Sequence, residues 1–211
     1  MDLSFLNFAI LAVFIPTFFV VSITPGMCMT LAMTMGMTIG VRRTFWMMGG
    51  ELIGVGLVAT LSVVGVATIM LSYPAVFNVF KYLGGAYLGF LGLQLWQSKG
   101  KMAIQNDGSH GFDVSRLHLA SQGFMTAVAN PKGWAFFIAL LPPFIDVERT
   151  MAPQLVVLLS LILLLEFLCL VLYATGGKTL SHLLQKSANV RLINRLAGTL
   201  MLGVGIWLAL A

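Results

Sequence analysis

The sequence predicts an all-α integral membrane protein of six transmembrane helices, arranged as two inverted three-helix repeats with helices 1 and 4 broken at prolines. Three observations predict it. First, 59% of the 211 residues are hydrophobic and only 9% charged, with a mean hydropathy of +0.96. A soluble domain carries about 25% charged residues, so the solvent here is the bilayer. Second, apolar helical stretches are interrupted at Thr24-Pro25-Gly26 and at Asn130-Pro131-Lys132, and each is followed by a membrane-length segment bearing a carboxylate, Glu51 and then Glu166. Third, the offsets nearly repeat: 106 residues separate the prolines and 115 the glutamates, and a constant 113 separates Leu83, Gly85, Gly92 and Leu95 from Leu196, Gly198, Gly205 and Leu208.

A spanning helix needs about 20 predominantly apolar residues to cross roughly 30 Å of hydrocarbon. Six segments qualify: Phe5 to Ile39, Phe45 to Leu71, Val76 to Trp96, Leu117 to Ile145, Leu155 to Tyr173 and Leu192 to Leu210. The first has 35 residues. As one straight helix it would measure about 52 Å at ~1.5 Å per residue, so Pro25-Gly26 is expected to divide it into a spanning part and a further half-helix. Its acidic start at Asp2, with no basic region ahead of the apolar run, does not read as a signal peptide. The second segment carries Glu51 within Gly49-Gly50-Glu51-Leu52-Ile53-Gly54, where glycines let another backbone approach closely. Gly85 and Gly89 in the third, like Gly36 and Gly40 at the end of the first, are small-residue pairs suited to helix packing. The fourth is broken at Pro131, the fifth holds Glu166 in an otherwise unbroken apolar run, and the sixth is rich in glycine. These glycine-rich faces permit a homodimer.

Between the third and fourth segments lies the one long polar stretch, residues 98–116, read as a cytoplasmic linker between a first repeat, 1–97, and a second, 117–211. Lys and Arg fall 9 to 1 in favour of the odd-numbered loops: Arg42, Arg43, Lys99, Lys101, Arg116, Lys178, Lys186, Arg191 and Arg195 against Arg149. Positive loops stay in the cytoplasm, so both termini are expected outside. Three spans per repeat then give the second repeat the opposite polarity. The formal charge of +5 is spread over these loops rather than clustered, so it anchors topology and does not point to nucleic acid.

Paired broken helices in matching positions of two halves are the sequence trace of a secondary transporter with a site near the midplane. A carboxylate at the centre of a spanning helix costs roughly 2.5 to 3.5 kcal/mol on insertion scales, so it faces a cavity or a partner and marks an ion or proton path. Glu51 and Glu166 are the candidates, and burial favours the protonated form that a proton carrier must be able to reach. The alternative is pairing with Lys132 or the capping of a broken helix. Each break frees backbone groups that need partners inside protein or a wet cavity. A half-helix beginning at Gly26 would aim its amides at an anion, and Asn130 and Lys132 could do the same from the other half; a simple kink is the alternative. Thr30, Thr34 and Thr38 form a hydroxyl stripe, a candidate pore lining or a helix contact.

Met27, Cys28, Met29, Met33, Met35 and Met37 are soft donors that would suit Cu(I), but methionine is also a flexible core filler, and no metal site is read from them. Cys28 and Cys169 lie inside predicted spans and offer neither a disulfide framework nor a zinc pattern. The chain shows no GxSx, GxGD or HExxH pattern, so a membrane-embedded enzyme is disfavoured, and no cofactor motif is read.

Asn130-Pro131-Lys132 followed by Gly-Trp-Ala-Phe-Phe and by Leu-Pro-Pro-Phe-Ile-Asp, Leu141 to Asp146, resembles the fourth-span signature of the LysE/RhtB family of amino-acid exporters. Pro25-Gly26 resembles its first-span motif and Gly50-Glu51 its Gly-acidic pair in the second span. The resemblance extends over nearly the whole chain, including Tyr82 to Leu88. Two departures stand out: Met27 occupies a position where the family usually has proline, and Glu51 one where aspartate is commoner. The resemblance implies export of a small amino acid or related metabolite across the bacterial cytoplasmic membrane, driven by inward proton movement. The zwitterion's carboxylate would meet amides at Gly26 and Asn130, with Lys132. Glu51 or Glu166 would take the ammonium or the proton, and Asp146 would gate, accept protons or cap its helix. Export of a metal cation on the same broad architecture is the alternative.

Overall fold

A computed structural model describes residues 8–72, 74–98, 114–141, 144–145 and 150–210. Asp146, Lys99, Lys101, Arg149 and most of the 98–116 stretch lie outside the described residues, as do the side chains of Pro131 and Lys132. The described residues form eight α-helices: α1 Phe8–Ile23, α2 Met27–Thr38, α3 Val41–Ser72, α4 Pro74–Gln97, α5 Arg116–Val128, α6 Pro131–Leu140, α7 Met151–Gln185 and α8 Ser187–Leu210.

Both proline breaks are present. The stretches Leu11–Ile23 and Met27–Thr38 meet at 57°, because Pro25 has no amide to donate and Gly26 is extended at φ −142° and ψ −174°. A helix end leaves its last carbonyls without intrahelical partners, and side chains supply two of them here. The Thr24 hydroxyl donates to the Val20 carbonyl at 2.6 Å, and the Tyr173 hydroxyl, from α7, donates to the Ile23 carbonyl at 2.7 Å. At the second break α6 opens with Pro131 at its first position, where a missing amide costs nothing. Here the Trp134 indole N–H donates to the Val128 carbonyl at 2.8 Å.

Two helical stretches, Val41–Gly65 and Met151–Gly177, are each long and apolar enough to cross a membrane, and the bent α1–α2 pair makes a third if counted as one span. The helices run further than the apolar segments. Arg42 and Arg43 lie in the first turn of α3, Arg116 opens α5, Lys178 belongs to α7, and Arg191 and Arg195 lie on α8, so several basic residues assigned to loops sit on helices. The reason is physical: hydropathy marks where a helix leaves hydrocarbon, not where it stops, and long basic side chains reach the interface from inside a helix. Arg116 stacks over Trp46 at 5.2 Å and Arg195 over Trp96 at 4.9 Å, while an Arg43 guanidinium N–H donates to the Val114 carbonyl at 2.7 Å. Beyond Gly177, at φ 20° and ψ −104°, α7 kinks and continues to Gln185.

The most extensive packing joins α4 to α8, α3 to α5, and α2 to α7. Glycine makes the first two possible. A Cβ on Gly50 would run into the Ala120 backbone, and one on Gly123 into the Met47 carbonyl, so α3 and α5 touch backbone to backbone. Between α4 and α8, a Cβ on Gly92 would stand 2.8 Å from the Gly198 carbonyl oxygen, and one on Gly205 2.8 Å from that of Gly85. Around these contacts lie two apolar clusters. One holds Phe14, Phe18, Val58, Phe137 and Ile162; the other holds Met33, Met47, Leu170 and Tyr173.

Candidate functional site

A cavity of about 490 Å³ opens where the two breaks face each other. From α1, α2 and the segment between them come Thr24, Pro25, Gly26, Met27, Cys28 and Met29; from the second break come Asn130 and Gly133; from α3 comes Glu51 and from α7 Glu166. Residues far apart in sequence thus share one chamber because each break turns its helix end inward.

The start of α2 has no side-chain cap, since Gly26 carries no side chain. The first bond of the helix runs from the Thr30 amide to the Gly26 carbonyl at 2.9 Å. The amides of Met27, Cys28 and Met29 therefore precede the hydrogen-bonded turns and stand at the positive end of the helix dipole. All three residues line the cavity.

Glu51 is fully buried, and neither of its carboxylate oxygens has a hydrogen-bond partner. Its interacting polar neighbours are Glu166 and Cys28, and Cys28 in turn neighbours Asn130. An unpartnered buried carboxylate is costly. It is a group that a proton or an ammonium would satisfy.

Of the residues singled out in the sequence, Pro25, Gly26, Glu51, Asn130 and Glu166 line the cavity. Pro131 and Lys132 form the first turn of α6 beside it. Thr30, Thr34 and Thr38 lie on α2 outside the lining, and the Thr38 hydroxyl donates to the Thr34 carbonyl at 2.9 Å. The methionine run divides: Met27 and Met29 line the cavity, while Met33 and Met35 are buried in the packing around α2. Among the described residues no group of three or more His, Cys, Asp and Glu is arranged to hold a metal ion.

The sequence had also not pointed to the walls. Cys28 drew notice in the sequence only as a soft donor inside a predicted span, yet it stands beside the two glutamates. Tyr87 and Gln94 of α4, and Ser22, Phe18, Phe136 and Phe137 of the two broken helices, also belong to the lining. The available signal was spacing: Tyr87 and Gln94 are seven residues apart, and so share one helix face.

Residues 19–211 match the family described as LysE type translocator. The chain belongs to this family. Among curated relatives, this LysE type translocator is 27% identical over 192 residues to an uncharacterized membrane protein of Vibrio cholerae, covering 91% of the chain and 92% of the relative. It is 26% identical over 190 residues to a homoserine/homoserine lactone efflux protein of Salmonella typhi, at 90% and 91% coverage, and 28% identical over 197 residues to a leucine efflux protein of Enterobacter sp., at 91% and 90%. No solved structure matches the translocator. The protein is thus a multi-pass membrane transporter rather than an enzyme.

Proposed function

We propose that the protein exports an amino acid or a related small metabolite from the bacterial cytoplasm in exchange for protons. One observation carries the reading: both helix breaks and both intramembrane glutamates, contributed by opposite halves of the chain, meet in one cavity. The efflux names of the relatives support it. In this reading residues 1–97 and 117–211 are two inverted three-helix repeats joined by the 98–116 linker, the chain crosses the membrane six times, and both termini face outward. Support comes from the matching places of α1–α2 and α5–α6 as broken helices, of α3 and α7 as the carriers of Glu51 and Glu166, and of α4 and α8 as partners in packing.

The chemistry follows from what each group can hold. The α2 amides and their dipole suit a carboxylate, and in this reading Asn130 and Lys132 would assist from the other break. Glu51 and Glu166 form one acidic locus that, when ionised, accepts either an ammonium or a proton. Occupation by one displaces the other, which is the requirement for exchange. Rocking of one repeat against the other then exposes the locus alternately to the two faces, and Asp146, expected from the sequence at the outer end of the fourth span, would gate or accept protons.

Proton release from proteoliposomes holding purified protein, challenged with single amino acids, tests the reading. Flux evoked by a few related amino acids and abolished in Glu51→Gln is the expected outcome. Full proton-coupled export by Glu51→Gln would refute the role given to this residue.

A further inference from the structure

The cavity is closed off where the two broken helices face each other and exposed elsewhere. From α1 and α6 its lining takes Phe18, Phe136 and Phe137, none more than 5% exposed. The Phe18 ring centroid lies 5.9 Å from that of Phe136 and 6.1 Å from that of Phe137. Phe14, one turn further along α1, stacks on Phe18 at 5.7 Å and meets Phe144, beyond the end of α6, edge-on at 5.0 Å. Phe14 and Phe144 are buried as well, so the rings form a continuous plug between α1 and α6. The wall given by α4 is different. It runs through Tyr87, Leu91, Gln94 and Leu95 to within a turn of the helix end at Gln97, and Gln94 is exposed. Met27, at the start of α2, is 54% exposed. The end of α4 is also a basic region, since Arg195 stacks on Trp96 and Lys99 and Lys101 follow in the sequence.

We propose that Phe18, Phe136 and Phe137, backed by Phe14 and Phe144, form the outer gate of the site, shut in this structure, while the cavity opens to the cytoplasm past Gln94. The inference rests on the topology and the transport reading given above, in which the basic end of α4 is cytoplasmic. A gate must part and close again. The glycine contacts of α3 with α5 and of α4 with α8 are unsuited to this, because they bring backbones together. Among the described residues α1 packs against α7 and α8, and α6 against α3, α4 and α5; between α1 and α6 it is rings that reach across. Such contacts are non-directional, so parting them orphans no hydrogen-bond donor or acceptor. The break end of α1 is tied to α7 by the bond from the Tyr173 hydroxyl to the Ile23 carbonyl, which leaves the rest of the helix free to swing about that tie. Phe14 stands about 13 Å from it at ~1.5 Å per residue, so a swing of about 20° would carry the ring about 5 Å. That is enough to part it from Phe144.

The native Cys28 in the cavity reports on the gate without any transported solute, so the gate and the export reading can fail separately. The test is labelling of the full-length Cys169→Ser protein by a cationic, membrane-impermeant methanethiosulfonate, in right-side-out and in inverted membrane vesicles. The rate from a face scales with the fraction of molecules open to it, and a minor conformation holds about 10% of molecules or fewer. Labelling from the cytoplasmic face should therefore be at least about 10-fold faster than from outside. Phe18→Ala and Phe137→Ala should each raise the outside rate severalfold and leave the cytoplasmic rate unchanged. If these variants fail to fold, Phe18→Leu and Phe137→Leu, which lose the ring contacts but keep most of the apolar volume, should shift the outside rate in the same direction. Equal labelling of the unmutated gate from both faces, or labelling from outside alone, would overturn the assignment. So would labelling by a membrane-permeant reagent only, which would mean that the cavity opens sideways to lipid. An unchanged outside rate in folded variants at both positions would show that the rings are not the seal.

Discussion

Tyr173→Phe removes a single oxygen from the protein and should reveal how firmly the first break is held. The ring is buried at 2% exposure and its hydroxyl donates to the Ile23 carbonyl, the last of α1, at 2.7 Å. Phenylalanine keeps the ring and its packing, so the change isolates the hydrogen bond. What remains is a carbonyl that the bend at Pro25-Gly26 has already separated from its helical donor, the Met27 amide. Leaving a buried acceptor unsatisfied costs about 1 to 3 kcal/mol in general, and interhelical hydrogen bonds in membranes average about 0.6 with a maximum near 1.7 kcal/mol. Because the acceptor here has lost its helical donor, the expected cost is at the upper end of the membrane range, about 1 to 2 kcal/mol, a factor of roughly 5 to 30 in the unfolding equilibrium. Unfolding of the purified protein by a denaturing detergent in mixed micelles measures it directly. A loss below about 0.3 kcal/mol, half the membrane average, would mean that the Ile23 carbonyl finds another donor and that the α1–α7 link does not hold the bend.

Three further outcomes follow from features already described. Gly50→Ala should destabilise the protein by several kcal/mol or block its accumulation in the membrane, since the new methyl would overlap the Ala120 backbone. Gly49→Ala, with nothing within 4 Å of its Cβ, should be neutral or stabilising by about 0.5 to 1 kcal/mol; equal behaviour of the two in the detergent-unfolding assay would contradict the α3–α5 contact. A small membrane-permeant maleimide should label Cys28 faster than Cys169, because Cys28 lines the cavity and Cys169 is buried outside it, and a transported amino acid should protect Cys28. Labelling confined to Cys169 would contradict this placement. Glu51→Gln should fold and insert like the wild type, since it replaces a buried unpartnered carboxylate by a neutral amide of the same shape, yet it should fail to couple export to protons; a marked loss of folded protein would show instead that the carboxylate is structural.

Some of this site could be read directly in the sequence, for reasons that are local. Pro25 and Pro131 interrupt helices wherever they stand, and a glutamate in an apolar run needs no partner to be conspicuous. The walls could not be read that way. Phe18, Phe136 and Phe137 look like lipid-facing residues until their rings are seen to meet, and the importance of Cys28 depends on Glu51 and Asn130, which belong to other elements. The spacing of Thr30, Thr34 and Thr38 gives them a common face but not the neighbour that face meets. The helix ends were obscured for a different reason. The Gly176-Gly177-Lys178 stretch looks like the exit from α7, whereas the helix bends there and continues, with the Cβ-free Gly177 accommodating φ 20°.

The pairing of α2 with α7, α3 with α5 and α4 with α8 has a consequence for biogenesis. Each of these principal contacts joins a helix made early to one made late, so a ribosome that has delivered only the first four helices has delivered none of these three interfaces, only the smaller α2–α3 and α3–α4 contacts. The glycine faces of α3 and α4 must then wait in the bilayer, covered by lipid, until α5 and α8 arrive. Insertion and folding are therefore separate stages for this chain. An expressed first half should enter the membrane yet remain susceptible to quality-control proteolysis, and a separately expressed second half should rescue it.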